Sequence, residues 1–202
     1  MTPNPMTLRH ATIRSVNVGI ARPLMVGGRP VMSAMDKRGQ TGEVHVGTLG
    51  LAGDEQVELA YHGGISQAVY AYPIEHLPFW QARRAAQAPG LFETPLEMGG
   101  LGENLSIEGL LEHEVFVGDQ LVGANVVFRV TQHREPCAKL NAVLGYATAA
   151  KEMVAEARTG FYLRVEQTGT LQAGDCLALH PGRQEISVAD MARSKWARHA
   201  RD

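Results

Sequence analysis

Short β-branched and aromatic stretches follow one another along this chain, each closed by a glycine, proline or aspartate turn, with no regular strand–helix–strand alternation between them. Such a pattern asks for strands joined by tight turns, in a sheet that disposes of its exposed edges by closing on itself. In the first half, Ile13 to Ile20, Val31 to Met35, Glu43 to Val46, Gln56 to Ala60 and Ala68 to Tyr72 read as strands. In the second, Glu103 to Ile107, Val115 to Val117, Gln120 to Val122, Val126 to Val130, Phe161 to Gln167 and Cys176 to Leu179 do so. Gly53–Asp54, Gly118–Asp119 and Gly174–Asp175 punctuate them, because glycine tolerates positive φ and aspartate bonds to its own backbone. Helices attach at Pro78 to Gln87, just after Cys137, and at Thr148 to Arg158, where Thr148 suits an N-cap and Gly160 follows the end. Ser187 to Ala200 has the pattern of a basic amphipathic helix. The expected fold is therefore mainly β with attached helices: a closed or nearly closed β-barrel over residues 1–182, then a short helical tail over 183–202.

Charge and cysteine content narrow the function classes. Nineteen basic against 21 acidic residues give a net charge of −2, so nothing in the balance favours a nucleic-acid polymer or an anionic membrane surface. No stretch approaches the ~20 apolar residues of a membrane span, and Met1 to His10 lacks a signal pattern. Cys137 and Cys176 are too few for a disulfide scaffold, which makes a reducing cytoplasm the expected location. Two cysteines also cannot ligate an iron–sulfur cluster, and no flavin or phosphate-loop fingerprint accompanies Gly99–Gly100–Leu101–Gly102.

Chemistry concentrates at a few turns. Cys137 follows Arg134–Glu135–Pro136 at the mouth of a short helix, where unpaired N–H groups, the helix dipole, Arg134 and Lys139 favour a thiolate. A thiolate is both a nucleophile and a soft metal ligand; the competing reading is a thiol filling core space. His62–Gly63–Gly64 can turn backbone N–H groups toward an anion beside an imidazole. Gly102–Glu103–Asn104 offers a carboxylate and an amide to a polyfunctional heterocycle. Asp36–Lys37–Arg38 suits a phosphate, to which Arg134, Arg158 and Arg164 can add; Arg164, if it faced inward from its strand, would require an anionic partner. Cysteine-dependent hydrolysis or group transfer, with His62 or His133 as base, is compatible with the same residues.

Several stretches occur in one order over roughly residues 10 to 180. They are Val31–Met32–Ser33–Ala34–Met35–Asp36–Lys37, Gly50–Leu51–Ala52–Gly53–Asp54–Glu55–Gln56 and His62–Gly63–Gly64 with Gln67 to Tyr72. Leu101 to Ser106, Val117–Gly118–Asp119, Arg134–Glu135–Pro136–Cys137 and Gly160 to Val165 continue the series. The ordered set resembles the MOSC family, named for the C-terminal domain of molybdenum-cofactor sulfurase, and within it the YiiM-like branch. That resemblance implies a pyruvate-kinase-barrel-like domain holding a molybdenum–molybdopterin cofactor, with Cys137 as the sulfur that meets the metal. By the same resemblance Lys37, His62, Gly63 and Gly64 lie near the pterin or its phosphate, and Gly102, Asn104 and Arg134 line the pocket. Glu103 or His62 would deliver protons. The implied activity is reduction of N-hydroxylated bases and related N-oxygenated compounds, with electrons from a separate flavin or iron–sulfur reductase. The alternative is a non-enzymatic carrier of cofactor or sulfur; the family label also includes pyridoxal phosphate binding. The oligomeric state stays open, a homodimer included. YiiM-like chains usually carry three helices after the barrel, whereas residues 183–202 have room for one.

Overall fold

The computed structural model describes residues 9–57, 63–87 and 95–199. Along His10–Val18 (β1), Ala11 and Ile13 are buried at alternate positions; a bulge between Ile13 and Ser15 then shifts the phase, so that Val16 is buried in turn. A hairpin follows from Arg22–Val26 (β2) and Arg29–Ser33 (β3). Arg38–Gly39 (β4), Val44–Gly47 (β5) and Gly50–Leu51 (β6) are short. Val69–Pro73 (β7) leads into the helix Leu77–Gln87 (α1), and Leu105–Glu108 (β8), Gln120–Val122 (β9) and Val127–His133 (β10) come next. Ala138–Leu144 (α2) and Ala149–Ala155 (α3) precede Phe161–Gln167 (β11), Gly169–Leu171 (β12), Cys176–His180 (β13) and Val188–His199 (α4).

Seven strands close a barrel. Their order is β13, β9, β10, β11, β7, β8, β1, and β1 pairs back to β13 with His10 opposite Ala178. Only the β7–β8 pairing within that ring is parallel. Ile13, Leu105, Ile107, Leu121, Phe128, Phe161, Leu163 and Leu177 fill the interior. A second apolar layer covers one outer wall: Tyr70 and Tyr72 from β7 and Tyr162 from β11 pack with Trp80, Leu101, Leu140, Leu144 and Met153. β7 is consequently buried on both faces, with Val69 and Ala71 in the barrel core and the two tyrosines under the helices. No helix among the described residues is long and apolar enough to cross a membrane.

Local differences from expectation have identifiable causes. Val115–Val117 forms no strand; its one ladder contact is a bridge from Phe116 to Ser187. Gln56 and Val57 lie outside any strand, and residues 58–62 fall outside the described ones. α3 ends at Ala155 rather than Arg158, because Ala157 takes φ 53° and the Arg158 N–H turns back to the Met153 carbonyl. Thr148 occupies the N-cap without a side-chain bond.

Gly160 serves a different purpose from a helix stop. A Cβ there would lie 2.5 Å from the Ala71 carbonyl oxygen and 2.8 Å from the rings of Tyr70 and Tyr72, at a φ of 62°. Gly160→Ala should therefore destabilise by about 2–4 kcal/mol, combining left-handed strain with overpacking. Thermal denaturation is the check: a midpoint within about 2 °C of wild type would contradict so tight an approach.

Candidate functional site

A solvent-open cleft of about 660 Å³ lies over the outer wall, lined in part by Met35, Tyr70, Asn104, Arg134, Cys137 and Tyr162. Its floor exists because β7 and β11 pair with Tyr70 opposite Tyr162, and strand alternation sends both phenols outward. Their ring centroids are 5.5 Å apart. Burial raises the pKa of each, so both remain neutral phenols at physiological pH.

Arg134 emerges where β10 has just ended, its N–H bonded to the Gly160 carbonyl. Its side chain is 5% exposed, with the guanidinium carbon 5.4 Å from the Tyr70 ring centroid. The terminal nitrogens face thioether sulfurs, Met153 Sδ and Met35 Sδ, each at 3.8 Å. Among the described residues no carboxylate pairs with it. A guanidinium cannot discharge by losing its proton, so a positive charge stands in a low-dielectric wall of the cleft with no carboxylate against it among the described residues. Its field reaches Cys137, which lines the same cleft, half-buried, at the N-cap of α2.

Asp54 organises the opposite side. Its Oδ1 accepts from the Gly19 N–H at 2.8 Å and from Lys37 Nζ; its Oδ2 accepts from Asn104 Nδ2 at 2.8 Å. Asn104 is itself clamped, with Oδ1 accepting from the Tyr70 N–H at 3.1 Å. Lys37 is buried and lines the cleft, and burial lowers its pKa against the opposing pull of Asp54. Lys139 and Gly102 also reach the cleft surface.

Other expected residues go elsewhere. Glu103 is fully buried and does not line the cleft. Its oxygens accept from the Gly99 N–H (2.6 Å), the Leu101 N–H (3.1 Å) and Ser106 Oγ (2.8 Å), so it braces the glycine turn. Arg164 is exposed on β11: Phe161, Leu163 and Val165 take the inward positions, which leaves it facing solvent outside the cleft. Gly63 lines the cleft but Gly64 does not, and their N–H groups already donate to the side chains of Gln67 and Gln56 at 3.3 Å each. An open anion nest is not formed there. His62 lies outside the described residues. His133 is 2% exposed, its Nδ1 lies 2.9 Å from the Arg134 carbonyl oxygen, and it does not line the cleft.

Burial raises the Glu103 pKa despite those three hydrogen bonds. The folded chain thus binds this proton more tightly than the unfolded chain. Stability should fall as pH climbs from the ordinary value of about 4.5 to the raised native value. Urea unfolding of wild type and Glu103→Gln across that interval should show the slope in the first and its loss in the second; parallel curves would contradict the assignment.

Asp54, Tyr70, Tyr162 and Met35 went unrecognised in the sequence as site residues. Asp54 was indistinguishable from a turn aspartate, although Asp119 and Asp175 do serve turns by accepting from the Phe116 and Gln172 N–H groups. The outward register of Tyr70 and Tyr162 was readable from their apolar neighbours, but not what covered them.

Comparison with known proteins adds a frame. Residues 58–178 match the model of the MOSC domain. The uncharacterized protein YflK of Bacillus subtilis is 35% identical over 182 residues, which cover 88% of this chain and 77% of YflK. A protein named "Reductase" from Gibberella moniliformis is 31% identical over 96% of this chain, and that match occupies 33% of the fungal protein. The crystal structure of YiiM from Geobacillus stearothermophilus superimposes with a TM-score of 0.73 at 30% identity, covering 95% of this chain and 86% of that one.

Proposed function

The chain belongs to the MOSC domain family, and from that premise we propose that it is a molybdenum-cofactor-dependent reductase of small N-oxygenated compounds. One observation carries the reading: a buried guanidinium, Arg134, faces the cleft beside a cysteine sulfur, with no carboxylate to balance it among the described residues. An anionic ligand carrying a soft metal would supply the guanidinium's counter-charge and meet the cysteine sulfur that lines the same cleft. The donor set fits a metal–pterin: Cys137 would offer sulfur to the metal, while Arg134 and Lys139 would hold the anionic pterin and Asn104 its ring edge. When bound, the cofactor supplies two-electron chemistry at a metal that accepts oxygen.

The protein's own part is positioning and protons. The net change, R–NHOH + 2 e⁻ + 2 H⁺ → R–NH₂ + H₂O, consumes two protons close to Cys137. Lys37 Nζ, its pKa lowered by burial and its charge held by Asp54, is placed to donate one into the cleft. It takes the role expected of Glu103. Tyr70 and Tyr162 wall the floor and limit water there. Electrons come from a separate flavin or iron–sulfur reductase. The name of the fungal relative, whose remaining two-thirds extends beyond the match, supports that division of labour.

The test is turnover of an N-hydroxylated purine by protein from a molybdenum-competent host, driven by reduced methyl viologen. Turnover that disappears when metal and pterin are absent is the expected result. Bound pterin without turnover would instead make the chain a carrier. Activity surviving without metal or pterin would make it a cysteine hydrolase or transferase.

A further inference from the structure

The link between α3 and β11 carries groups of the cleft on its backbone. The carbonyls of Arg158, Thr159 and Gly160 accept in turn from Tyr72 Oη (3.0 Å), Tyr70 Oη (2.8 Å) and the Arg134 N–H (3.3 Å). Tyr70 is the cleft floor, and the Arg134 guanidinium carbon stands 5.4 Å from its ring centroid. A shift of this link therefore moves phenol and guanidinium together.

The link is itself clamped by side chains that do not line that cleft. Glu112 is 3% exposed; its Oε1 accepts from the Gly160 N–H at 2.7 Å, and its Oε2 lies 2.8 Å from His76 Nε2. His76 Nδ1 in turn lies 3.2 Å from Arg158 Nη1. A guanidinium only donates, so Nδ1 accepts there and the imidazole proton stands on Nε2, given to Glu112. Arg158 closes the circuit, since its side chain ends this chain of bonds and its carbonyl begins the link. The guanidinium also lies over the Phe79 ring at 4.3 Å. Glu112, His76 and Arg158 line a separate, solvent-open hollow, so Arg158 stands apart from the phosphate cluster to which the sequence assigns it. Burying a carboxyl group is a costly way to close a loop, and directional bonds fix a backbone where apolar packing alone does not.

We propose that Glu112, with His76 and Arg158, is a positioning residue of the cofactor cleft: it fixes the 158–160 backbone and, through it, the Tyr70 floor and the Arg134 guanidinium. The proposal rests on the reading of Arg134 as the partner of an anionic pterin. It adds a layer behind that site, reached from Glu112 across 48 residues of chain to Gly160.

Glu112→Gln is the test. The carboxamide oxygen can still accept from Gly160, but its NH₂ meets His76 Nε2; the imidazole proton must pass to Nδ1, where it opposes the Arg158 donor. Nitrogen-15 NMR of the imidazole should show that move from Nε2 to Nδ1. In the unloaded full chain, hydrogen exchange at the Gly160 and Arg134 amides should quicken at least about tenfold while β9 and β13 stay within about twofold. Protein from a molybdenum-competent host should retain about tenfold less pterin. Ile13→Val, which trims the barrel core away from these groups, should lower the thermal midpoint yet retain pterin within about twofold of wild type. Arg158 is only half-buried, so Arg158→Met supplies a second variant should Glu112→Gln fail to fold; it should quicken the same two amides about threefold. Exchange unchanged at both amides, exchange quickened equally throughout the barrel, or a retention loss that Ile13→Val reproduces would each overturn the proposal. Wild type without pterin would sink the cofactor reading instead, and exchange in the unloaded chain would still decide whether Glu112 governs Arg134.

Discussion

Cys137→Ser should abolish viologen-driven reduction, by at least about a hundredfold, while leaving the fold as stable as wild type or slightly more so. The size follows from its place: losses of ten- to a hundredfold are typical when a group merely supporting a metal ligand is removed, and Cys137 would be the ligand itself. The stability half follows from local structure. Cys137 occupies the N-cap of α2 in an extended conformation and makes no side-chain cap bond. Serine is among the favoured N-cap residues and can bond the exposed N–H groups of the first turn, a gain of up to about 1 kcal/mol. Loss of activity therefore cannot be ascribed to unfolding. X-ray absorption of metal-loaded protein gives a second readout, since the variant should show one sulfur neighbour fewer. A serine variant that turns over within about threefold of wild type would end the case for this sulfur.

Arg134→Met carries the second large effect, in opposite directions for stability and function. In the unloaded protein the guanidinium is desolvated among Tyr70, Met35 and Met153. Replacing such a charge by an apolar side chain of similar length should raise stability by about 1–3 kcal/mol, visible as a higher thermal midpoint. Pterin retention should fall at least about tenfold, because the anion loses its buried partner. Arg134→Lys should recover little, since an ammonium cannot lie flat on the Tyr70 ring or present the same fork. A methionine variant that is strongly destabilised yet holds pterin normally would show that Arg134 is a structural residue and that the anion site is elsewhere. Stability gained as binding is lost is the pattern of a site kept strained for its ligand.

Much of the fold could be read from the chain. Phe161–Gln167 was delimited correctly because its apolar residues fall on alternate positions with turns at both ends. Closure was inferable from short strands and turn glycines, and the ring of seven strands has that form. Val115–Val117 failed as a strand because β-propensity over three residues does not supply a pairing partner. Of the site, Cys137, Lys37, Asn104, Gly102, Gly63 and Arg134 do line one cleft. Glu103 and Arg164 do not, for opposite reasons: one is enclosed by its own turn, the other faces water along the outer edge of β11.

Chain order alone specified a barrel with a cysteine at a rigid turn, since periodicity, glycine turns and a proline approach are local properties that each residue carries with it. Which groups would face one another across the cleft was settled by long-range pairing. Asp54 meets Asn104 at a separation of 50 residues, and Arg134 meets Met35 at 99. Register and burial, rather than residue type, decide whether a carboxylate braces a turn as Glu103 does or holds a lysine as Asp54 does, because hydrogen-bonding demand in a dry interior is met by whichever partner the fold brings within reach.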